Sequence, residues 1–122
     1  MEFWFLIAAA AVAILGALFH GVFGRRIYLG EIYKAAPPQT TISLSTVSWD
    51  MFTIMLVVSG LTLANVAYNP DAAPMVLPVA AMNLLGAALF IGLGLSGHKD
   101  LIARLPGAYF MGATGGLALL GI

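Results

Sequence analysis

The sequence contains no cysteine among its 122 residues. This absence excludes disulfide bonds, thiolate metal sites and a cysteine nucleophile. Charged residues are scarce too: five basic and five acidic side chains make up 8% of the chain and give a net charge of zero. A water-soluble domain carries about a quarter charged residues, and nucleic-acid-binding domains are typically basic. The composition therefore argues against a soluble globule and against nucleic acid as a partner.

The sequence consists mostly of long apolar runs, and 61% of its residues are hydrophobic. A hydrocarbon core about 30 Å thick needs roughly 20 apolar residues in a helix. Because lipid offers no partner to unpaired backbone groups, such runs should be helical. They predict an all-α, membrane-embedded bundle of four transmembrane helices in a single domain over residues 1–122, at about residues 3–23, 49–68, 73–97 and 102–121.

A cleaved signal peptide is the competing interpretation of the first apolar run. Signal peptides begin with a positively charged region and have a shorter apolar core. Here Met1 is followed by Glu2, and the positive charges Arg25 and Arg26 come after the run. We therefore expect this run to be the first transmembrane helix.

The basic residues fall in only two of the predicted loops. Residues 24–48 contain Arg25, Arg26 and Lys34, and residues 97–104 contain Lys99 and Arg104. Loops rich in lysine and arginine face the cytoplasm. The distribution predicts a multi-pass protein of a bacterial inner membrane, with both of these loops in the cytoplasm and both termini outside.

The predicted loop 24–48 has two halves of different composition. The first mixes charged and apolar side chains up to Pro37 and Pro38, which is typical of a short helix lying on the membrane surface and ended by proline. The second half, Q-T-T-I-S-L-S-T-V-S, is expected to be an extended connector; an anion- or water-binding segment is the alternative. Asp50 then falls in the first turn of helix 2, where a carboxylate suits the helix dipole.

His20 is the ionisable side chain within the first apolar run. Ala9, Ala13 and Ala17 recur every four residues, so they share one helix face, and small residues allow close helix packing in membranes. We expect His20 to lie on or beside that face and to contact protein. It is then either a histidine bonded to a carbonyl group or water, or a functional residue, since ionisable groups at membrane depth are often functional.

Further candidates come from the predicted topology, which brings His20, Asp50 and His98 to a similar depth, with Arg25 nearby. Histidine and carboxylate together can bind a divalent metal or relay protons, and two histidines can ligate a haem. Polar residues also collect at solvated helix ends without any such role. Asn83, the deepest amide, is the remaining binding candidate, although buried amides typically join membrane helices.

Three short motifs carry a resemblance: F-H-G-V-F-G-R-R at residues 19–26, S-W-D at 48–50 and S-G-H-K at 96–99. The chain resembles an uncharacterised group of small bacterial four-helix integral membrane proteins. That group pairs a histidine and glycine closing helix 1 with a Trp-His opening helix 2. Asp50 stands where the group has its second histidine, so the resemblance implies the fold and carries no metal, haem or catalytic role.

We therefore predict a non-enzymatic membrane protein without catalytic residues or a cofactor. We expect this protein to be either an accessory subunit of a membrane complex or a helix bundle that handles a small solute or an ion. The faces of small residues favour a homo-oligomer or a membrane-protein partner in the lipid bilayer. The alternative is a haem- or metal-binding redox protein that uses His20 and His98, with Asp50 as a further ligand.

Overall fold

The computed structural model describes residues 2–122, and no strand occurs among them. We label the five helices in this range α1 Phe3–Lys34, α2 Gln39–Tyr68, α3 Pro70–Leu95, α4 Asp100–Ala103 and α5 Gly107–Leu120. The first three are long and apolar enough to cross a membrane, and α5 is a shorter apolar helix. The predicted all-α class is confirmed.

Helix α1 lies between α2 and α5, and α3 packs against the other side of α5. The packed faces consist largely of small residues. Ala9 and Ala13 of α1 are fully buried, as are Ala80 of α3 and Ala118 of α5, and Ala17 is nearly so. Small side chains let helix axes approach closely, so the predicted packing face of α1 is confirmed.

Large apolar side chains point outward instead. Leu61, Leu85 and Leu95, for example, are 62%, 71% and 79% exposed. Soluble monomers rarely expose large contiguous apolar patches, whereas lipid is the natural environment of such a surface. Together with the length of α1, α2 and α3, this exposure indicates membrane association.

Residues 24–48 do not form the long loop that the sequence predicts. Helix α1 continues to Lys34 and α2 already begins at Gln39, so only a four-residue turn joins them. Pro37 and Pro38 interrupt the helices as expected, because proline lacks the amide donor. The two helices extend together as a hairpin beyond the apolar part of the bundle.

The hydroxyl-rich half of this hairpin is helical, and the hydroxyl of Thr46 within it makes two local bonds. The Thr46 hydroxyl donates to the carbonyl oxygen of Ile42 at 2.8 Å, and it lies 2.6 Å from the hydroxyl of Tyr33 on α1. The hydroxyl-rich half is therefore not an extended connector, and the charged half before Pro37 is the end of α1 and not a separate interfacial helix. Because α2 begins at Gln39, Asp50 lies well inside the helix, and the prediction that it sits in the first turn is wrong.

The C-terminal helices also differ from their predicted limits. Helix α3 ends at Leu95, and Gly97 has a φ of +126°, a conformation that glycine adopts readily. The His98 amide then donates to the carbonyl oxygen of Leu93 at 3.0 Å. Helix α5 begins directly after Pro106, so the predicted helix 102–121 is divided into α4 and α5.

The two ends of the bundle differ in charge. One end, which we call the basic end, carries Arg25, Arg26, Lys34, Lys99 and Arg104. At the opposite end lie Glu2 and Asp71. There the Glu2 amide donates to the carbonyl oxygen of Gly121 at 3.0 Å, which joins the start of α1 to the end of α5.

Candidate functional site

The imidazole of His20 lies among aromatic rings near the basic end. It stacks on the indole of Trp49, with ring centroids 4.1 Å apart and an angle of 11° between the planes. The ring of Phe52 lies 4.8 Å away and is tilted by 49°. His20 therefore faces α2, which agrees with the expectation that its side chain contacts protein.

Hydrogen bonds fix both the backbone and the side chain of His20 to α2. Trp49 Nε1 donates to the His20 carbonyl oxygen at 2.9 Å. His20 Nδ1 lies 2.8 Å from Thr53 Oγ1, and the Thr53 hydroxyl in turn donates to the Trp49 carbonyl oxygen at 3.4 Å. Trp49 and Thr53 are four residues apart and share one face of α2, so a single helix face holds the imidazole in place.

Two glycines of α1 allow this close approach. A Cβ atom at Gly21 would lie 2.7 Å from Cγ2 of Thr53, and a Cβ atom at Gly24 would lie 3.1 Å from Cζ2 of Trp49. A side chain at Gly21 would therefore force a shift of Thr53, which bonds to the imidazole of His20. The glycines of the F-H-G-V-F-G motif therefore serve the packing of α1 against α2.

The same part of α1 departs from α-helical geometry. Phe19–Leu29 is π-helical, with backbone hydrogen bonds from residue i to residue i+5. π-Helical turns are rare and are found frequently at functional sites. Here the π-helical stretch contains His20 and Arg25, the residues through which α1 bonds to Trp49, Thr53 and Asp50.

Arg25 and Asp50 form an ion pair next to this cluster. Arg25 Nε donates to Asp50 Oδ1 at 2.9 Å, and Nη2 donates to Oδ2 at 3.4 Å. The two side chains are 43% and 44% exposed, so water screens their attraction. Asp50 thus neutralises Arg25 at the edge of the site instead of capping a helix.

A cavity of about 190 Å³ lies beside His20. We call it the aromatic cavity because four aromatic residues line it, together with His20 and several smaller or aliphatic residues: Phe19, Tyr28, Trp49 and Phe90, and Gly24, Leu101 and residues 105–107. A wider hollow of about 370 Å³ is also lined by His20 and Trp49. Ligand sites are mostly apolar hollows with a few polar groups, and the aromatic cavity has this character.

The remaining predicted metal ligands are not gathered here. His98 lies in the exposed turn after α3, beside Lys99 and Asp100. Among residues 2–122, no group of three or more histidine, aspartate or glutamate side chains is close enough to hold a metal ion. The structure therefore does not bring His20, Asp50 and His98 together as one ligand set.

Asn83 occupies a different part of the molecule, in the fully buried centre of the bundle. Its Nδ2 donates to Ser59 Oγ at 3.1 Å and to the carbonyl oxygen of Val79 at 2.9 Å. The first of these bonds joins α3 to α2. Asn83 does not line the aromatic cavity, and its contacts are those of an amide that joins membrane helices.

Comparisons with protein-family models, with curated proteins and with solved structures find no match to the chain. The functional interpretation of the site therefore rests on its geometry.

Proposed function

We propose that the chain is a multi-pass inner-membrane protein that binds a small apolar solute in the aromatic cavity and does not convert it chemically. The aromatic cavity is the observation that carries this proposal. Four aromatic residues and one histidine line it, and ligand sites typically combine apolar walls with a few polar groups. The aromatic cavity lies near the basic end of the bundle.

The proposed membrane architecture has four crossings. Helix α5 has 14 residues, or about 21 Å of helix, which is short for a span. Yet α5 runs alongside α1. At one end of α5 the ring of Phe110 stacks on that of Phe19 with centroids 6.4 Å apart, and at the other end the Gly121 carbonyl oxygen accepts a hydrogen bond from the Glu2 amide. The part of α1 between Glu2 and Phe19 is about 26 Å long, close to the hydrocarbon thickness of about 30 Å. This pairing supports a fourth crossing by α5 and its flanking residues.

Orientation follows from the charge difference between the two ends. All five basic residues lie at the basic end, together with Glu31, Asp50 and Asp100, while the other end has only the acidic Glu2 and Asp71. Lysine and arginine near membrane-spanning segments favour the cytoplasmic side. The basic end is therefore proposed to face the cytoplasm.

The absence of cysteine makes this architecture simple to test. Single substitutions Ala36→Cys, Asp71→Cys, Lys99→Cys and Ile122→Cys are labelled with a membrane-impermeant maleimide in oriented vesicles. Ala36→Cys and Lys99→Cys should react from the cytoplasmic side, and Asp71→Cys and Ile122→Cys from the opposite side. Reaction of Ile122→Cys on the same side as Lys99→Cys would remove the fourth crossing, and a reversed pattern at all four positions would overturn the orientation.

Binding is tested through Trp49 itself. The chain has two tryptophans, and Trp4 lies at the opposite end of α1, so Trp4→Phe leaves Trp49 as the only indole. In this background, 1,4-dimethylbenzene should change the emission of Trp49 in a saturable manner. Leu101→Phe, which adds a ring at the cavity wall, should weaken that response. Leu95→Phe, at a 79% exposed position outside the cavity, is the matched control. A response that does not saturate, or that is equal in both variants, would refute binding in the aromatic cavity.

A further inference from the structure

The connector between α3 and α5 forms one wall of the aromatic cavity. Leu101 and Leu105 of this connector line the cavity, and Pro106 and Gly107 line it where α5 begins. The other lining residues belong to α1, α2 and α3. Because the connector joins the ends of α3 and α5 at the basic end, its two leucines form the wall of the cavity on that side.

The connector is fixed to the bundle near each of its ends. At the end of α3, the His98 amide donates to the carbonyl oxygen of Leu93 at 3.0 Å. At the start of α5, the carbonyl oxygen of Pro106 accepts a bond from the Tyr109 amide at 3.1 Å. Residues 99–105 lie between these two points and include the whole of α4.

This 99–105 segment is a loosely packed part of the cavity wall. None of its residues is buried, and α4 has only four residues. Helices α1 and α3, which form other parts of the wall, are instead packed through buried residues such as Ala17 and Ala87. Segments with few buried contacts open at a low cost in free energy. If the wall of the cavity opens, the 99–105 segment is therefore the part that moves.

Ile102 holds α4 against the bundle through two contacts. Its carbonyl oxygen accepts a bond of 3.0 Å from the Tyr109 hydroxyl of α5, and this bond is exposed. Its side chain lies against Gly94 of α3, where an added Cβ atom would be 2.5 Å from Cδ1 of Ile102. Because the hydrogen bond is exposed, water can replace either partner when it breaks, so no polar group is left unpaired in the open state.

We infer that residues 99–105 form a lid over the aromatic cavity, and that a solute enters and leaves when Ile102 separates from Gly94 and Tyr109. This inference rests on the proposed function, because it adds the path by which the solute reaches its cavity. Segments that close over a bound molecule often limit how fast that molecule is released. The lid therefore acts on the rates of entry and release.

The lid can be locked with a disulfide bond, because the chain has no cysteine of its own. A Cβ atom at Gly94 would lie 3.6 Å from Cβ of Ile102, within the range of about 3.5–4.5 Å that disulfides require. The substitutions Gly94→Cys and Ile102→Cys are combined in the Trp4→Phe background, where Trp49 emission reports 1,4-dimethylbenzene. Stopped-flow mixing should show that oxidation slows binding and release by at least about tenfold and that a reductant restores both rates. The Trp4→Phe protein treated with the same oxidant is the control, and its rates should not change.

The outcomes separate the lid from the proposed function. Equal rates in the oxidised and reduced forms would show that the solute enters between the helices, and would overturn the lid. Failure of the disulfide to form, checked by mass spectrometry, would overturn the contact of Ile102 with Gly94 on which the lid depends. Failure of the probe to bind the Trp4→Phe protein would overturn the proposed function, and the lid with it.

A milder variant tests the lid without introducing cysteine. Tyr109→Phe removes the hydroxyl that donates to Ile102 and keeps the ring. Because a neutral hydrogen bond changes an equilibrium by about two- to tenfold, release of 1,4-dimethylbenzene should accelerate by about that factor. Tyr68→Phe, at a 71% exposed position near the other end of the bundle, is the matched control and should leave the release rate unchanged. Equal release rates in the two variants would contradict the lid.

Discussion

Trp49 contacts His20 in two ways: its indole stacks on the imidazole with centroids 4.1 Å apart, and its Nε1 donates to the His20 carbonyl oxygen at 2.9 Å. One side chain of α2 thus holds both the ring and the backbone of one residue of α1. This double contact lies within the π-helical stretch of α1. It therefore sets where α2 lies against α1 and where the imidazole stands in the aromatic cavity.

Trp49→Phe is expected to destabilise the fold by about 1 kcal/mol, the usual value of one hydrogen bond. The substitution keeps an aromatic ring beside His20 and removes the Nε1 donor. The measurement is unfolding in mixed detergent, followed by circular dichroism. Trp4→Phe is the control, since Trp4 is 77% exposed at the other end of α1, and it should change stability by less than about 0.5 kcal/mol. Equal effects of the two substitutions would show that the bond to His20 adds nothing.

Adjacent glycines of α5 should respond in opposite ways to alanine. A Cβ atom at Gly115 would lie 2.6 Å from Cγ of Leu84 and 3.0 Å from the carbonyl oxygen of Ala80, and backbone cannot easily move aside. Gly115→Ala is therefore expected to cost about 1–3 kcal/mol, as overpacking does. At Gly116 a Cβ atom would meet no atom within 4 Å in the part of the chain described here, so Gly116→Ala should be neutral or stabilising by up to about 1 kcal/mol. The same unfolding measurement compares the two, and a larger loss at Gly116 would contradict the packing of α5 on α3.

Hydropathy predicted the apolar part of this fold well and the hairpin poorly, for one physical reason. An apolar run measures how much of a helix lies in lipid. The charges at Arg25 and Arg26 mark where α1 leaves the apolar region, and the backbone continues as helix to Lys34. The end of a membrane span and the end of a helix are therefore different positions. Only Pro37 and Pro38, which interrupt the helix itself, located the turn correctly.

The candidate site was predictable only in part. His20 and its glycines stand out in the sequence, and the spacing of Trp49 and Thr53, four residues apart, places two hydrogen-bonding side chains on one face of α2. Phe90 and Leu101 line the cavity through the packing of helices that are distant in sequence, which residue spacing cannot reveal. Predicted depth alone groups His98 with His20. The turn at Gly97 then leaves it exposed.

The hydroxyls of Ser59 and Thr114 are both fully buried but should differ in their contributions to stability. Ser59 Oγ accepts a bond from Asn83 Nδ2, while Thr114 Oγ1 has no hydrogen-bond partner within residues 2–122. Hydrogen bonds between membrane helices contribute about 0.6 kcal/mol on average, so Ser59→Ala should cost about that amount. Thr114→Val keeps the branched shape and should cost nothing or stabilise the bundle. Detergent-induced unfolding of both variants checks this, and a larger loss for Thr114→Val would refute it.

The Arg25–Asp50 pair should contribute a stabilisation that depends on salt. The two charges are joined by bonds of 2.9 Å and 3.4 Å but remain partly exposed, and the screening length falls from about 30 Å at 0.01 M salt to about 3 Å at 1 M. A double-mutant cycle with Arg25→Gln, Asp50→Asn and both together should show a favourable coupling at low salt that shrinks at high salt. The pair of Lys34 and Glu31, with side chains 75% and 69% exposed, is the matched control. Its cycle, with Glu31→Gln and Lys34→Gln, should give a smaller coupling, because more exposed charges are screened more strongly. A coupling for Arg25 and Asp50 that does not vary with salt would show that the pair acts through packing and not through charge.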